Sequence, residues 1–520
     1  MKSIRIFSAV IGILLIAATI SCNKKNQSHA DRRHAPYEPN WKSLARHETP
    51  GWYEDAVFGI YFHWGVYSVP AFGCWGGRNM YQPKGGKTEE WGHIDRDKYS
   101  NTYDYVKKVY GEPGTEFGYK DFIPMFKAEK WDPDEWARLF KEAGADFAGP
   151  VAIHHDGFAM WDSDCAEYNS MDMGPHRDVV GEMLEAVRKH GMKTFASFHY
   201  YTNWDFFNPG RKICPKGVDV NNRKYEGLYA PVREYDGTWS EEPISESFQK
   251  GWYNRVIEVI AKYCPDQLWF EIGFSDPDCI GEDYVKSALA HYFNTAEALC
   301  RQVIVTRKAD DLPLSCSVLN LEAHSEDEAQ PVVWQTDIAL GTNHAWAYSP
   351  DAVCRPINGV IDEIVDRKSK NGLTLLSVAP KADGTLPPSQ IEGLKELGKW
   401  MAINKEALKA SRPAPYMKGG TDNWKAGSIR FTEKGQYLYA IELGNELDKE
   451  NVSAEYEDSK PPSAPYIIPG VKPVKDSKIT MLGSSENLPW HQKGRNILIE
   501  KMPDPLPCDY AWIFKIQVKE

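Results

Sequence analysis

Between about residue 45 and residue 410, short apolar runs alternate with amphipathic helical stretches, and that alternation points to a parallel sheet with helical crossovers. Asp132 suits a helix N-cap and Pro133 the first helical position; Trp136, Leu139 and Phe140 follow at helical spacing until Gly144 provides a stop. Residues 147–153 then read as a buried strand. The unit returns with Val180, Leu184 and Val187, ended by Gly191 and followed by a strand over 193–198. It returns again with Val256, Val259, Ile260 and Tyr263, broken by Cys264-Pro265-Asp266 and followed by a strand over 267–271. Further strands are expected at 57–62, 303–306, 332–334 and 373–378. This many repeats favour a closed (β/α)8-like barrel over an open sheet.

After Ser411-Arg412-Pro413-Ala414-Pro415 the texture changes. Short strands at 428–431, 437–441, 478–481, 497–499 and 511–517, with turn-rich links and no long helix, predict a small β-sandwich over 412–520. The proline-rich stretch 453–476 reads as a surface excursion within it. At the other end, Lys2 and Arg5 precede an apolar run from Ile6 to Ile20, then Ser21-Cys22. A run of about 15 residues is short for a membrane span, which needs about 20. Residues 1–22 are expected to be a lipoprotein-type signal with lipidation at Cys22, and 23–44 a polar tether. The catalytic barrel would occupy 45–410. Such a chain would be exported and lipid-anchored in a bacterial envelope, facing the periplasm or the cell surface, and would touch a membrane only through its anchor.

The balance of 61 basic against 73 acidic residues gives −12, and loss of Lys2 and Arg5 with the signal makes it −14. An acidic chain without a basic stripe is a poor partner for nucleic acid. The 18 Trp, 27 Tyr and 20 Phe supply flat rings that suit sugar faces as well as cores. With Cys22 set aside, nine of the ten cysteines remain and no CxxC pair occurs, which argues against a zinc or redox framework. Cys264 and Cys300 read as small core residues.

The polar clusters all follow predicted strands. His63-Trp64-Gly65 follows one, His154-His155-Asp156-Gly157 a second and His199 a third; Glu271 ends a fourth, and Gln335-Thr336-Asp337 follows a fifth. In parallel barrels the active site lies at the carboxyl ends of the strands, so these clusters converge on one mouth. Taken singly, each has a plainer explanation. A lone His63 is more often a satisfied core histidine, and Trp64, Trp75, Trp161 and Trp204 are more often packing than sugar platforms. His154, His155 and Asp156 are metal-ligand types, but adjacent side chains on extended backbone diverge and no spacing supplies a third ligand. Neither metal nor cofactor is expected. Glu271, beside Trp269 and Phe270, is harder to dismiss, since a buried carboxylate needs a partner or a task.

The stretch Phe58-Gly59-Ile60-Tyr61-Phe62-His63-Trp64-Gly65-Val66-Tyr67-Ser68-Val69-Pro70 resembles the opening of glycoside hydrolase family 29, the α-L-fucosidases. His154 to Phe158 with Trp161-Asp162-Ser163, Asn169-Ser170, Gly174-Pro175 and Arg177-Asp178 is similar to that family's second signature. Lys370-Asn371-Gly372 through Ala379-Pro380-Lys381-Ala382-Asp383-Gly384 is similar to its last. The resemblance runs from about residue 45 to the C-terminal Leu506-Pro507-Cys508-Asp509-Tyr510-Ala511. It implies a metal-free retaining glycosidase that removes terminal α-L-fucose from oligosaccharides. It also implies sugar contacts at His63, His154, His155 and His199; Trp64, Trp75 and Gln335 are further substrate-binding candidates on this chain's own sequence.

Three positions depart from the family pattern. The nucleophile motif, tryptophan-phenylalanine-aspartate, stands here as Trp269-Phe270-Glu271; the acid/base tryptophan-glutamate stands as Trp334-Gln335; and Gly73 to Arg78 lacks the usual glutamate-tryptophan pair. Retention needs two carboxyl groups about 5–5.5 Å apart. Glutamate lengthens the nucleophile by about 1.5 Å, and glutamine cannot exchange a proton as a carboxyl does. Asp337, on the same side of an extended strand as Gln335, is the favoured acid/base; Glu322, Glu326 and Glu328 lie in the preceding stretch, and Asp276 is the fallback nucleophile. An α-L-galactosidase on the same scaffold and an inactive glycan-binding relative are the alternatives. The sequence fixes no oligomeric state.

Overall fold

The computed structural model describes residues 35–83, 101–233, 243–271, 279–308, 312–343, 345–414, 429–443 and 460–519. The signal segment, Cys22 and Asp276 lie outside them. Eight parallel strands close into a barrel in sequence order: β1 (Phe58–Phe62), β2 (Phe147–Ile153), β3 (Lys193–Phe198), β4 (Gln267–Phe270), β5 (Ile304–Lys308), β6 (Val318–Glu322), β7 (Trp334–Ala339) and β8 (Gly372–Val378). β8 returns to pair with β1, so no edge is left exposed.

The helices form where the apolar spacing and caps predict. α1 (Pro133–Glu142) starts at Asp132, whose carboxylate accepts from the amides of Asp134 and Glu135. α2 (Val179–Lys189), α3 (Glu246–Tyr263), α4 (Glu282–Ala298), α5 (Ile357–Ser369) and α6 (Pro388–Asn404) follow. Tyr61, Phe147, Val151, Phe195, Trp269 and Leu375 fill the barrel interior, while a larger apolar cluster packs between strands and helices. Residues 37–44, expected to belong to the tether, dock instead: Tyr37 is buried against Phe293 of α4.

Two boundaries change the reading of the site. β6 was not expected, because Val318-Leu319-Asn320-Leu321-Glu322 alternates too briefly to stand out from its loop. β7 runs from Trp334 to Ala339, not 332–334, so Gln335 and Asp337 sit within a strand and not after it. Cys264 is buried as expected, whereas Cys300 is exposed just beyond α4.

Beyond the barrel, β9 (Arg412–Pro413), β10 (Ile429–Lys434), β11 (Tyr437–Glu442), β13 (Ile479–Met481) and β16 (Trp512–Gln517) form one antiparallel sheet. β12 (Tyr466–Ile468), β14 (Trp490–Lys493) and β15 (Asn496–Ile499) form a second. β12 lies inside the proline-rich stretch expected to be a surface excursion, and its Ile468 is buried in the sandwich core. An ionic joint ties this part to the barrel. Asp366 of α5 accepts from Lys370 Nζ at 2.7 Å and from Arg430 Nε of β10 at 2.7 Å, and all three are buried. Removing one member of such a buried set leaves charge without compensation. Asp366→Ala is therefore expected to lower the unfolding free energy by about 3–5 kcal/mol, measured by urea denaturation.

Candidate active site

The imidazoles of His63, His154, His155 and His199 gather at the carboxyl ends of β1, β2 and β3. Ring centroids of His154 and His199 lie 5.0 Å apart and nearly parallel, with His63 at 5.5 Å and 5.4 Å from them. His155 is 4.2 Å from His154 and 5.2 Å from Trp75. Their outer contacts fix the rings: His63 Nδ1 meets Ser377 Oγ at 3.0 Å, His155 Nδ1 the His199 carbonyl at 2.8 Å, and His199 Nε2 the Ser197 hydroxyl at 3.1 Å. Burial lowers every one of these imidazoles below the ordinary histidine range, His63 to about 3 and His155 to about 4. All four are neutral at physiological pH and can both donate and accept.

Local backbone chemistry makes the second histidine pair possible. Gly157 turns the chain at φ +78, and a Cβ there would stand 2.4 Å from the Leu228 carbonyl oxygen. Asp156 turns away to accept from Tyr119 Oη at 2.7 Å, and burial pushes its carboxyl up to about 6.

Glu271 follows β4 with its side chain 15% exposed. One carboxylate oxygen lies 3.3 Å from His199 Nδ1; the other accepts from Lys308 Nζ at 2.5 Å. Lys308 ends β5, lies over the Trp269 ring at 5.3 Å, and donates at 2.6 Å to Glu322, which ends β6 with its side chain 49% exposed. The two Glu oxygens on this ammonium are no more than about 5.1 Å apart, the two contacts laid end to end, which is short of the about 6.5–9.5 Å of inverting sites. Burial pushes the Glu271 carboxyl up to about 7, while the Lys308 ammonium pulls it back.

Asp337 lies beneath. It is 3% exposed; Oδ2 accepts from Tyr61 Oη at 3.0 Å and Oδ1 from Asn320 Nδ2 at 2.7 Å. Burial raises its carboxyl to about 6. Gln335 is deeper still and fully buried: its carbonyl accepts from Tyr53 Oη at 2.8 Å and Gln267 Nε2 at 2.9 Å, and its amide donates to Asn320 at 2.7 Å. Gln335 is thus a floor residue and makes no contact with the mouth, because two positions of strand rise separate it from Asp337.

Trp64 is also corrected. Alternation turns His63 into the mouth and Trp64 outward, where it is 1% exposed among Phe126, Trp131 and Trp136 and donates its indole to the Lys381 carbonyl at 2.7 Å. Trp75, half-buried beside His155 and Phe206, stays at the mouth. Trp346, absent from the sequence reading, stands half-buried over His63 and Tyr61 at 5.7 Å and 6.5 Å. Lys308 was also missed, although its spacing of two from inward-facing Thr306 was a usable signal.

Paired carboxylates on one ammonium, ringed by neutral imidazoles at a parallel barrel's mouth, define the class as a barrel glycoside hydrolase. Comparisons with known proteins agree. The sequence profile of the family described as Alpha-L-fucosidase matches residues 24–406. Tissue alpha-L-fucosidase of Bos taurus is 29% identical over 504 residues, covering 92% of this chain and 91% of its own. The Thermotoga maritima alpha-fucosidase, solved in complex with fucose, is 26% identical with a TM-score of 0.68, covering 92% of this chain and all of its own. A Bacteroides thetaiotaomicron alpha-L-fucosidase at 18% identity and TM-score 0.62 shares the fold. The chain belongs to the α-L-fucosidase family and is a glycosidase.

The two tryptophans separate core from site. Trp64→Ala is expected to cost about 3–5 kcal/mol of stability with little change in KM. Trp346→Ala should leave stability nearly unchanged and raise KM for an aryl glycoside up to about tenfold. Thermal unfolding and steady-state kinetics on both variants check this.

Proposed function

We propose that the protein is an exo-acting retaining α-L-fucosidase that uses Glu271 as nucleophile and Glu322 as general acid/base. The observation that carries this reading is the Lys308 bridge, which holds the two carboxylates on one ammonium, closer together than an inverting pair. Likeness to a fucosidase solved with fucose supports the choice of sugar. In the first step a Glu271 oxygen attacks the anomeric carbon, the glycosidic bond breaks, and Glu322 gives its proton to the departing oxygen. In the second, Glu322 takes a proton from water as that water attacks the same carbon and releases the Glu271 carboxylate. The imidazoles of His63, His154, His155 and His199 grip ring hydroxyls, and Trp75 and Trp346 supply apolar walls.

Glu322 replaces Asp337 in the acid/base role for two reasons. A proton shuttle must reach the leaving oxygen and later water, and Glu322 is half-exposed where Asp337 is sealed. Both Asp337 oxygens are already engaged, so its task is to fix Tyr61 and Asn320 beneath the sugar. Lys308 also answers the extra methylene of Glu271: the longer side chain is held to one side by the ammonium.

Assays of aryl α-L-fucoside and α-L-galactoside test the reading. Fucoside should turn over faster. Glu271→Gln should lose about 10⁴-fold or more, and Glu322→Gln about 10²–10⁴-fold on poor leaving groups, with azide restoring turnover of an activated aryl fucoside. Asp337→Asn should lose less than Glu322→Gln. Collapse of Asp337→Asn with Glu322→Gln intact would return the acid/base role to Asp337. Saturable fucose binding by wild type without any release would leave a glycan-binding protein.

We also propose export and lipid anchoring at Cys22, on the strength of Lys2, Arg5, the apolar run and Ser21-Cys22. Metabolic labelling with a radiolabelled fatty acid should mark the wild type and not Cys22→Ala. Equal labelling of both would overturn the assignment.

A further inference from the structure

The imidazole cluster has a second property that sugar binding does not require. His63, His154 and His199 each offer one ring nitrogen, and these three atoms lie within 4.8 Å of one another, all on buried side chains. Their sequence separations, 91 and 45 residues, carry no ligand spacing; barrel closure alone brings them together. His154 Nδ1 is buried without a hydrogen-bond partner among the described residues, an uncommon and costly state for a ring nitrogen. The outer nitrogens of His63 and His199 are anchored on the hydroxyls of Ser377 and Ser197. That is the arrangement by which outer contacts fix tautomer and aim in metal-ligating histidines.

We infer that His63, His154 and His199 form a three-imidazole site for one divalent transition-metal ion of the zinc class, occupying the pocket in place of the sugar. Three neutral imidazoles suit zinc, cobalt or copper and leave a fourth position open. Glu271, whose oxygen is 3.3 Å from His199, belongs to an adjoining group with His155 and His199 whose ligand atoms also lie within 4.8 Å of one another. Beside the cluster, the Lys308 ammonium is matched by two carboxyl groups, Glu271 and Glu322. The ion would be an inhibitor. It ties up three groups that grip hydroxyls and draws the Glu271 carboxylate toward itself, away from an anomeric carbon. The sugar-competition part of this inference rests on the fucosidase reading; the metal capture does not.

The test uses untagged full-length protein stripped with chelator, titrated with Zn²⁺ by calorimetry and with Co²⁺ by visible absorption. One equivalent should bind, with the intense visible bands of four-coordinate Co²⁺. His154→Gln and His199→Phe, checked for native circular dichroism, should each weaken binding at least about tenfold. His491→Asn, at the exposed His491–Glu500 pair, should not. Absence of saturable binding, or binding unchanged in both pocket variants, overturns the site. Saturating L-fucose should weaken zinc binding. Zinc binding that depends on His154 and His199 but ignores fucose would uphold the metal site and count against the sugar reading instead.

Discussion

Lys308 is the group on which the arrangement of the mouth depends. Taking an ammonium and a carboxylate out of water is costly, and a buried pair persists only when its geometry is good and its remaining valences are met. Here the ammonium has Glu271 on one side, Glu322 on the other and the Trp269 ring beneath it. Three consecutive strands place these groups: Glu271 directly follows β4, Lys308 ends β5 and Glu322 ends β6. Without the ammonium, burial would drive Glu271 further toward its neutral form, since Lys308 is the group that pulls its carboxyl back. The same contact sets the side-to-side placement of the Glu271 carboxylate, whose side chain is one methylene longer than an aspartate.

Below the bridge the barrel is layered. Tyr53, Gln267 and Gln335 make the floor, Asn320 links Gln335 to Asp337, and Tyr61 closes the layer under Trp346. Each amide in this relay has a defined orientation because its neighbour accepts only at one end. A polar network of this kind rigidifies a barrel core where its groups are satisfied, as those of Gln335 are, while Gln267 Oε1 is buried without a partner among the described residues. It also explains how glutamine is accommodated at position 335, where the family shows a glutamate: the position faces a donor on each side of its carbonyl and an acceptor at its amide, so an uncharged group fits.

Much of the site was legible because strand ends are legible. His63, His154, His155, His199 and Glu271 each follow an apolar run, and the carboxyl-end rule alone sends them to one mouth. The errors share one physical origin. A polar residue near a strand end can lie above, within or outside the barrel wall, and the choice depends on register. Trp64 lies one residue past an inward-facing histidine and so faces the helices; Gln335 lies two residues before Asp337 and so belongs to the floor. Lys308 and Trp346 escaped notice because β5 extends further than its apolar part and Trp346 comes from a loop after β7, while Glu322 was seen only as one of three loop acids because β6 is five residues long.

The amino-acid order by itself determined the alternation of strand and helix, hence the parallel barrel, the antiparallel sheets after it, and the family, since these rest on periodicity, caps and contiguous motifs. Only the tertiary structure decided which acids share an ammonium, which tryptophan walls the pocket and which histidines meet. Those facts depend on distances between residues 14 to more than 100 positions apart in sequence, and such distances are set by barrel register and closure, quantities that no local pattern of side chains encodes.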